Sequence, residues 1–273
     1  MSSTAQASTS APSEDAGRFR VGPLRGFLLV LLLVLTWVVA LAVYLPAGWV
    51  WSQVSRGINL PEQVEVASVG GTLWSGTAIV RALGKPVSVS WHLEPASAIY
   101  GFVPLEWEAN TANSRAEGSL TAVFEGRLRF LVREAEIDLA EITAMGGPLE
   151  RVRVPGIMEL ESVFVVWGPD EGLVDARGRG QWPGGPVSWP MGGRMQQSNL
   201  PPLEGVVKQR DQGVVLSITD RDQGITGVEA ALDNDGYASL ELRKHWIDLL
   251  GLDFAANAEP DEVVFNVRRR ILQ

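Results

Sequence analysis

The sequence predicts a mainly β protein, in which a single N-terminal transmembrane helix precedes a twisted, curved antiparallel β-sheet domain. An uncharged apolar run near the N-terminus predicts the helix, and short apolar stretches separated by turn residues predict the sheet. The 29 glycines and 16 prolines among 273 residues favour turns over long helices. We expect a short disordered tail over residues 1–24, the spanning helix over 25–45 and a β-rich domain over 46–273.

The apolar run extends from Gly26 to Leu45 and reads GFLLVLLLVLTWVVALAVYL. About twenty residues at a rise of about 1.5 Å each cross a hydrocarbon core of about 30 Å. A cleaved signal peptide is the alternative, and Ala40-Leu41-Ala42 matches a small-x-small cleavage site, but this site lies inside the run. We therefore expect a retained anchor. Its predicted anchoring side chains are Phe27, Leu28, Leu31, Leu35, Trp37, Val39, Leu41 and Tyr44.

Positive charges predict the direction of this anchor. Arg18, Arg20 and Arg25 precede the run, and the next positive residue is Arg56. The positive-inside rule places the N-terminus in the cytoplasm and the rest of the chain across the membrane.

Trp49 and Trp51 follow the anchor, where aromatic rings settle at the headgroup level. Packing of both rings against the domain is an equally good interpretation. The segment from Trp49 to Asn59 has loosely helical apolar spacing, and Leu60-Pro61 ends it, so we expect a short helix there.

Short strands are expected from residue 63 onward. The first candidates run over Val64–Val69, Thr72–Leu83 and, after a Gly84-Lys85-Pro86 turn, Val87–Trp91. Others cover Ser119–Phe124, Gly126–Val132 and Val163–Trp167, and Asp138–Met145 is expected to form one or two helical turns.

The clearest β pattern covers Leu203 to Leu242. Its turn sequences Asp211-Gln212-Gly213, Asp222-Gln223-Gly224 and Asn234-Asp235-Gly236 are about eleven or twelve residues apart, with apolar residues between them. This spacing predicts an antiparallel meander with one apolar face.

A short sequence pattern occurs twice. Trp74-Ser75-Gly76 precedes a Pro-Val-Ser segment ending at Trp91, and Trp182-Pro183-Gly184 precedes Pro-Val-Ser-Trp at residues 186–189. This suggests two related halves, at about residues 60–145 and 150–273. Chance similarity among ten tryptophans is the alternative.

Composition argues against several classes of function. A formal net charge of −9 disfavours nucleic-acid binding, and the absence of cysteine excludes disulfides, thiolate metal sites and a cysteine nucleophile. His92 and His245 are far apart, so they suggest no metal site, and no nucleophile elbow or phosphate-binding loop occurs. We therefore expect no catalytic residue, no metal and no cofactor.

Three charged groups have a functional interpretation and a structural one. Glu106 and Glu108 resemble an acid/base pair but fit a solvated strand face, and Asp233–Gly236 begins like a calcium loop but fits a hairpin turn. Arg268–Arg270 suits lipid headgroups or a salt-bridged terminal strand. The structural interpretation is favoured in each case.

The assembled motifs resemble protein N of the bacterial type II secretion system, from the anchor to the C-terminus. The resemblance rests on YLPAGWV after the anchor, on Gly71-Thr72-Leu73-Trp74-Ser75-Gly76, and on PVSVSWHLEPASAIYG from Pro86 to Gly101. Gly178-Arg179-Gly180 and the following PVSW extend it. The motif residues to which a structural role is assigned are Gly71, Trp74, Gly76, Trp91, Pro95 and Gly101.

This resemblance implies a bitopic inner-membrane component with a periplasmic β domain and no known catalytic activity. Its expected partners are other inner-membrane secretion components, which would dock on exposed strand edges, and membrane lipid around the anchor. A more distant similarity to envelope proteins of the AsmA type gives an alternative function, in which an apolar face of a curved sheet binds or transfers lipid.

Overall fold

A computed structural model describes residues 23–57, 64–82, 84–123, 126–144, 151–169, 171–210 and 213–270. The chain divides into two units, residues 1–44 and 45–273. The predictions for the N-terminal tail, including Arg18 and Arg20, lie outside the described residues.

The described part of the first unit is helix α1, Pro23–Val43. Proline suits the first turn of a helix, where its missing N–H has no intrahelical acceptor. The Thr36 hydroxyl donates to the Leu32 carbonyl oxygen at 2.8 Å, which removes an unpaired polar group from an apolar helix. α1 is long and apolar enough to cross a membrane, and it lies two residues N-terminal to the predicted span.

The second unit contains fifteen strands and three short helices within the described residues. The helices are α2 (Ala47–Val54), α3 (Leu139–Thr143) and α4 (Lys244–Leu249), and a 3-10 helix covers Pro95–Tyr100. The first eight strands are β1 (Val64–Gly71), β2 (Ser75–Ala82), β3 (Lys85–Leu93), β4 (Phe102–Asn110), β5 (Arg115–Val123), β6 (Leu128–Asp138), β7 (Ile157–Gly168) and β8 (Gly172–Trp182). The others are β9 (Gly185–Met191), β10 (Arg194–Leu200), β11 (Leu203–Arg210), β12 (Gly213–Asp220), β13 (Thr226–Asp233), β14 (Tyr237–Arg243) and β15 (Val263–Arg270).

Thirteen of these strands form one antiparallel sheet in the order β1 to β8 and then β11 to β15. β9 and β10 form a separate hairpin between β8 and β11 in the chain. Among the described residues, β1 and β15 each pair on one side only, so the sheet is open. The prediction of a mainly β, antiparallel domain is confirmed.

The expected meander corresponds to β11–β14, and the helical turns expected after Asp138 correspond to α3, capped by the Asp138 carboxylate. The helix expected over Trp49–Asn59 begins earlier, at Ala47, and ends at Val54. The expected Gly84-Lys85-Pro86 turn is wrong in extent, because Lys85 and Pro86 pair with Ala82 and Arg81 inside the sheet. The positive φ of 81° at Gly84 allows this tighter turn.

The repeated Trp pattern occupies two different settings. Trp91 lies in β3 of the large sheet, whereas Trp189 lies in β9 of the separate hairpin. One sheet continues across both proposed halves through the pairing of β6 with β7. The relationship between the halves stays a prediction.

The register of the sheet places apolar residues on one face of every strand from β3 onward. Directly paired residues share a face, and residues two apart on one strand also share it. One such row runs through Leu93, Leu105, Leu120, Phe130, Val165 and Ala176. Gly178 lies two residues after Ala176 on β8 and therefore shares its face. From Gly178 the row continues through Val207, Leu216, Ala230, Leu240 and Val267. We call this side of the sheet the apolar face.

The opposite side of the sheet is charged and carries ion pairs between strands. Arg133 contacts Glu106 and Glu117, Arg115 contacts Glu108 and Glu117, and Arg268 contacts Asp233. These side chains are largely exposed, so each pair contributes little to stability.

The densest core lies on the apolar face, where Trp182, Val187 and Leu200 form a buried cluster. The β9–β10 hairpin and α4 cover the sheet at this point, and Trp189, Trp246 and Leu250 pack against the cluster. Elsewhere the apolar face is open in part, since Phe130, Leu240 and Phe265 are exposed.

Candidate interaction surfaces

The motif Gly71–Gly76 forms the turn between β1 and β2. The Thr72 N–H donates to the Ser75 carbonyl oxygen at 2.8 Å, and the Ser75 N–H donates to the Thr72 hydroxyl oxygen at 3.2 Å. Gly71 has a φ of 85°, which favours glycine. These bonds close a tight turn of defined geometry.

Trp91 fixes this turn to the neighbouring strand. Its indole Nε1 donates to the Leu73 carbonyl oxygen at 3.1 Å, and its ring lies over Gly76, its register partner in β2. A Cβ on Gly76 would be 2.4 Å from Cζ2 of Trp91, so only glycine fits beneath the ring. Trp107 lies over Gly118 in the same way, two strands further into the sheet.

The second unit begins at this turn. The Leu73 N–H donates to the Leu45 carbonyl oxygen at 2.9 Å, and Pro46 forms a β-bridge with Thr72. α2 then packs close to β1, since a Cβ on Gly48 would be 3.2 Å from the Val69 carbonyl oxygen. We call this the entry end of the sheet.

The connection between β3 and β4 also lies at the entry end. It consists of the 3-10 helix Pro95–Tyr100, followed by Gly101 with a φ of 87°. The Leu93 N–H donates to the Trp74 carbonyl oxygen at 2.6 Å, and the Glu94 N–H to the Pro104 carbonyl oxygen at 3.2 Å. The structure therefore brings all six motif residues together at one end of the sheet, as scaffold for two connections.

The apolar face contains a cavity with a volume of about 580 Å³. Strands β7, β8, β11 and β12 form its floor, and α4, β9 and β10 cover it. Apart from Arg179 and Gln181, its lining side chains are apolar, with Trp182, Trp189 and Trp246 among them. A second depression of about 480 Å³ adjoins it and shares Val207 and Leu216. Such a surface suits an apolar ligand or an apolar partner.

α4 is fastened over this cavity by polar contacts. His245 lies 2.9 Å from Asp220 through Nε2 and Oδ2, and both side chains are buried. The Ser198 hydroxyl of β10 donates to the Leu249 carbonyl oxygen, and an ion pair between Lys244 and Asp248 lies within α4 itself. His245 thus has a structural role, and Asp220 was not identified from the sequence.

A second polar cluster holds α3 to the β4–β5 turn. The Thr111 hydroxyl donates to Glu141 at 2.5 Å, and the Ser114 hydroxyl donates to the same carboxylate at 2.8 Å. These hydrogen bonds, with the Thr111 bond first, lower the pKa of Glu141 below its usual value. They hold α3, whose Leu139 lines the cavity, to the sheet.

The charged side of the sheet carries a row of carboxylates. Glu108, Glu117, Glu134 and Glu161 face one another on successive strands β4 to β7. Because like charges placed opposite each other destabilise a sheet, Arg115 and Arg133 offset part of this cost. The ion pairing of Glu106 and Glu108 agrees with the solvated-face interpretation of these residues.

The remaining sequence candidates occupy structural positions. Arg268–Arg270 lie in the terminal strand β15, with Arg268 paired to Asp233, and Asn234–Gly236 form a hairpin turn. No group of three or more potential metal ligands occurs among the described residues. The expected absence of a metal, a cofactor and an activity stays a prediction.

The predicted anchor residues lie in α1, except Tyr44, which directly follows it. Their side chains are exposed in the described chain. Trp49 of α2 is exposed and Trp51 is half-buried, and both interpretations of these two rings stay predictions. Their contact with a membrane, like that of Arg25, stays a prediction.

The comparisons with known proteins identify the second unit. The family model described as type II secretion system (T2SS), protein N, matches residues 62–248, which extend from the start of the sheet to α4. Searches among curated proteins and among solved structures found no match.

Proposed function

This chain belongs to the type II secretion system protein N family, and from this premise we propose that it is a non-catalytic accessory component of that secretion system. The family match over most of the sheet domain is the observation that carries the proposal. Family membership implies interaction with other secretion components. In this proposal α1 spans the inner membrane once, the N-terminus is cytoplasmic, and the sheet domain is periplasmic and assists export of folded proteins.

The two edge strands are the proposed docking sites for other inner-membrane components. β1 and β15 leave backbone N–H and C=O groups directed away from the sheet, which a strand of a partner would satisfy. The charged face lies between these two edge strands. Its side chains form ion pairs with one another, and it offers few apolar side chains that a partner could bury. The edges therefore suit main-chain recognition better than the charged face does.

Deletion of the gene tests the secretion role. We expect secreted proteins to accumulate in the periplasm, and expression of the wild-type chain to restore their release. Unchanged secretion in the deletion strain, with the other components present, would contradict the proposal. A periplasm-active reporter fused after Gln273 tests the orientation independently and is expected to be active. If only a cytoplasm-active reporter works at this position, the proposed orientation is wrong.

Photo-crosslinking tests the docking sites. A photoreactive residue replacing Glu65 in β1 or Asn266 in β15 is expected to capture another secretion component. The same residue replacing Thr121 in the interior strand β5 serves as a matched control. Equal capture from interior and edge positions would refute docking at the edges.

A second candidate function, lipid binding or transfer, is favoured by the apolar face with its cavity of about 580 Å³ and adjoining depression. Burial of an acyl chain there would yield about 25 cal/mol for each Å² of apolar surface removed from water. Leu216 belongs to the apolar face, and its neighbour Ser217 points to the charged face.

These neighbours provide a direct test of the lipid function. A photoreactive residue at Leu216 should crosslink to ³²P-labelled phospholipid in living cells, and the same residue at Ser217 should not. If neither position crosslinks to labelled lipid, lipid binding by the apolar face is refuted.

A further inference from the structure

The connection between β3 and β4 carries the two most exposed large apolar side chains of the described sheet domain. Ile99 is 81% exposed and Tyr100 is 76% exposed. Residues 95–105 contain no charged side chain. An exposed apolar segment of this kind marks a surface that is covered in the working protein.

Two further exposed apolar groups lie at the same entry end. Trp49, on α2, is 58% exposed, and Phe102 directly follows the turn at Gly101. The hydrogen bonds from Leu73 to Leu45, from Trp91 to Leu73 and from Leu93 to Trp74 connect α2 with the β3–β4 connection. We call Trp49, Ile99, Tyr100 and Phe102 the entry-end patch.

The entry end follows α1 closely along the chain. α1 ends at Val43, and Leu45, which bonds to the β1–β2 turn, is only two residues further along. Two residues of extended chain reach about 7 Å. If α1 spans the membrane, the entry end begins within this distance of the bilayer surface.

Tethering makes lipid the favoured occupant of the patch. A group held beside a bilayer meets lipid at a high effective concentration, so weak apolar contacts suffice, whereas a protein partner must first arrive. Tyrosine and tryptophan rings prefer the headgroup region, because one part of each ring is apolar and another forms hydrogen bonds.

We propose that the entry-end patch is a membrane-contact site, in which Trp49, Ile99 and Tyr100 lie among the lipid headgroups and upper acyl chains. The inference rests on the proposed membrane span of α1 and adds a second contact with the bilayer.

Site-directed fluorescence on the full chain tests the proposal. The chain contains no cysteine, so a single cysteine labels one position only. Ile99→Cys, Trp49→Cys and Asn113→Cys would each be labelled with an environment-sensitive dye in nanodiscs containing one copy of the protein. Asn113 is the matched control, because it is an exposed turn residue at the opposite end of β4. Leu35→Cys, within α1, reports on the span itself.

We expect blue-shifted emission at positions 99 and 49 with strong quenching by lipids that carry a shallow spin label. Position 113 should behave as in water, and position 35 should respond to a deep spin label. Aqueous behaviour at 99 and 49, with position 35 quenched, would overturn the membrane contact and leave the span intact. Blue-shifted emission at 99 without lipid quenching would also overturn it, because a protein surface would then cover the patch. Loss of quenching at position 35 would refute the span.

Discussion

His245 Nε2 and Asp220 Oδ2 lie 2.9 Å apart, and the two residues are only 6% and 2% exposed. The other oxygen of the Asp220 carboxylate accepts the N–H groups of Asp222 and Gln223 at 2.8 and 3.3 Å. One carboxylate therefore organises the β12–β13 turn and fastens α4, whose Trp246 lines the large cavity. The cover of the apolar face depends on this contact.

Replacement of Asp220 by alanine is expected to destabilise the protein by about 3 kcal/mol, because it leaves a buried histidine and two turn N–H groups without their acceptor. Denaturant unfolding of the full chain in detergent measures this loss. Asp222→Ala changes an exposed neighbour in the same turn and is expected to cost less than about 0.5 kcal/mol. Equal losses in the two variants would contradict a specific role for the buried pair.

Replacement of Gly76 by alanine should weaken the β1–β2 turn. The new methyl group would be 2.4 Å from both the Gly70 carbonyl oxygen and the Trp91 ring, and relief of such overpacking costs about 1–3 kcal/mol. Gly205→Ala is the control, because its Cβ would be at an ordinary 3.6 Å from Leu216. Thermal unfolding should separate the two variants, and an unchanged midpoint for Gly76→Ala would contradict the close packing of Gly76 against the Gly70 carbonyl oxygen and the Trp91 ring.

Removal of the Trp182 side chain tests where the core lies. Trp182 is buried and donates from Nε1 to the Pro155 carbonyl oxygen at 2.9 Å, so Trp182→Ala is expected to cost about 3–5 kcal/mol. Trp167, in the neighbouring strand β7, is exposed, and its replacement by alanine should cost much less. Similar unfolding free energies for the two variants would show that the cover over Trp182 is not formed in solution.

The Glu141 cluster predicts a dependence of stability on pH. Its folded pKa is below the unfolded value of about 4.3, so its contribution is complete above that pH and is lost as the pH falls through the folded pKa. Thr111→Val removes the strongest hydrogen bond and should raise the pKa, whereas Thr111→Ser retains the hydroxyl and should not. Carboxyl-detected NMR titration measures both variants. An unchanged pKa in Thr111→Val would refute the assigned cause.

Local patterns predicted strands at the positions of ten of the fifteen described strands, and gave no bounds for β4, β8, β9, β10 and β15. The regular turns between Leu203 and Leu242 predicted β11–β14, because turn residues and alternating apolar residues are properties of neighbouring positions. The turn at Gly84 was predicted too long, because Pro86 was assigned to the turn. Pro86 instead lies near the start of β3, where the missing backbone N–H of proline is tolerated.

The interaction surfaces were less accessible to sequence reasoning. Asp220 resembles any other turn aspartate in the sequence, and only packing of α4 against the β12–β13 turn brings His245 to it. Ile99 and Tyr100 lie within a motif segment used for the family resemblance, and the absence of charge over residues 95–105 was the signal that would have singled them out.

The sequence by itself determined the apolar helix, the alternation of strands and turns, and the glycines on which tight turns depend, because these follow from backbone geometry and near neighbours. Tertiary structure decided that the strands form one open sheet with a continuous apolar face, and that the β9–β10 hairpin and α4 cover only part of it. Register and cover depend on contacts between residues far apart in the chain, and the pairing of β8 with β11 across the hairpin is one such contact.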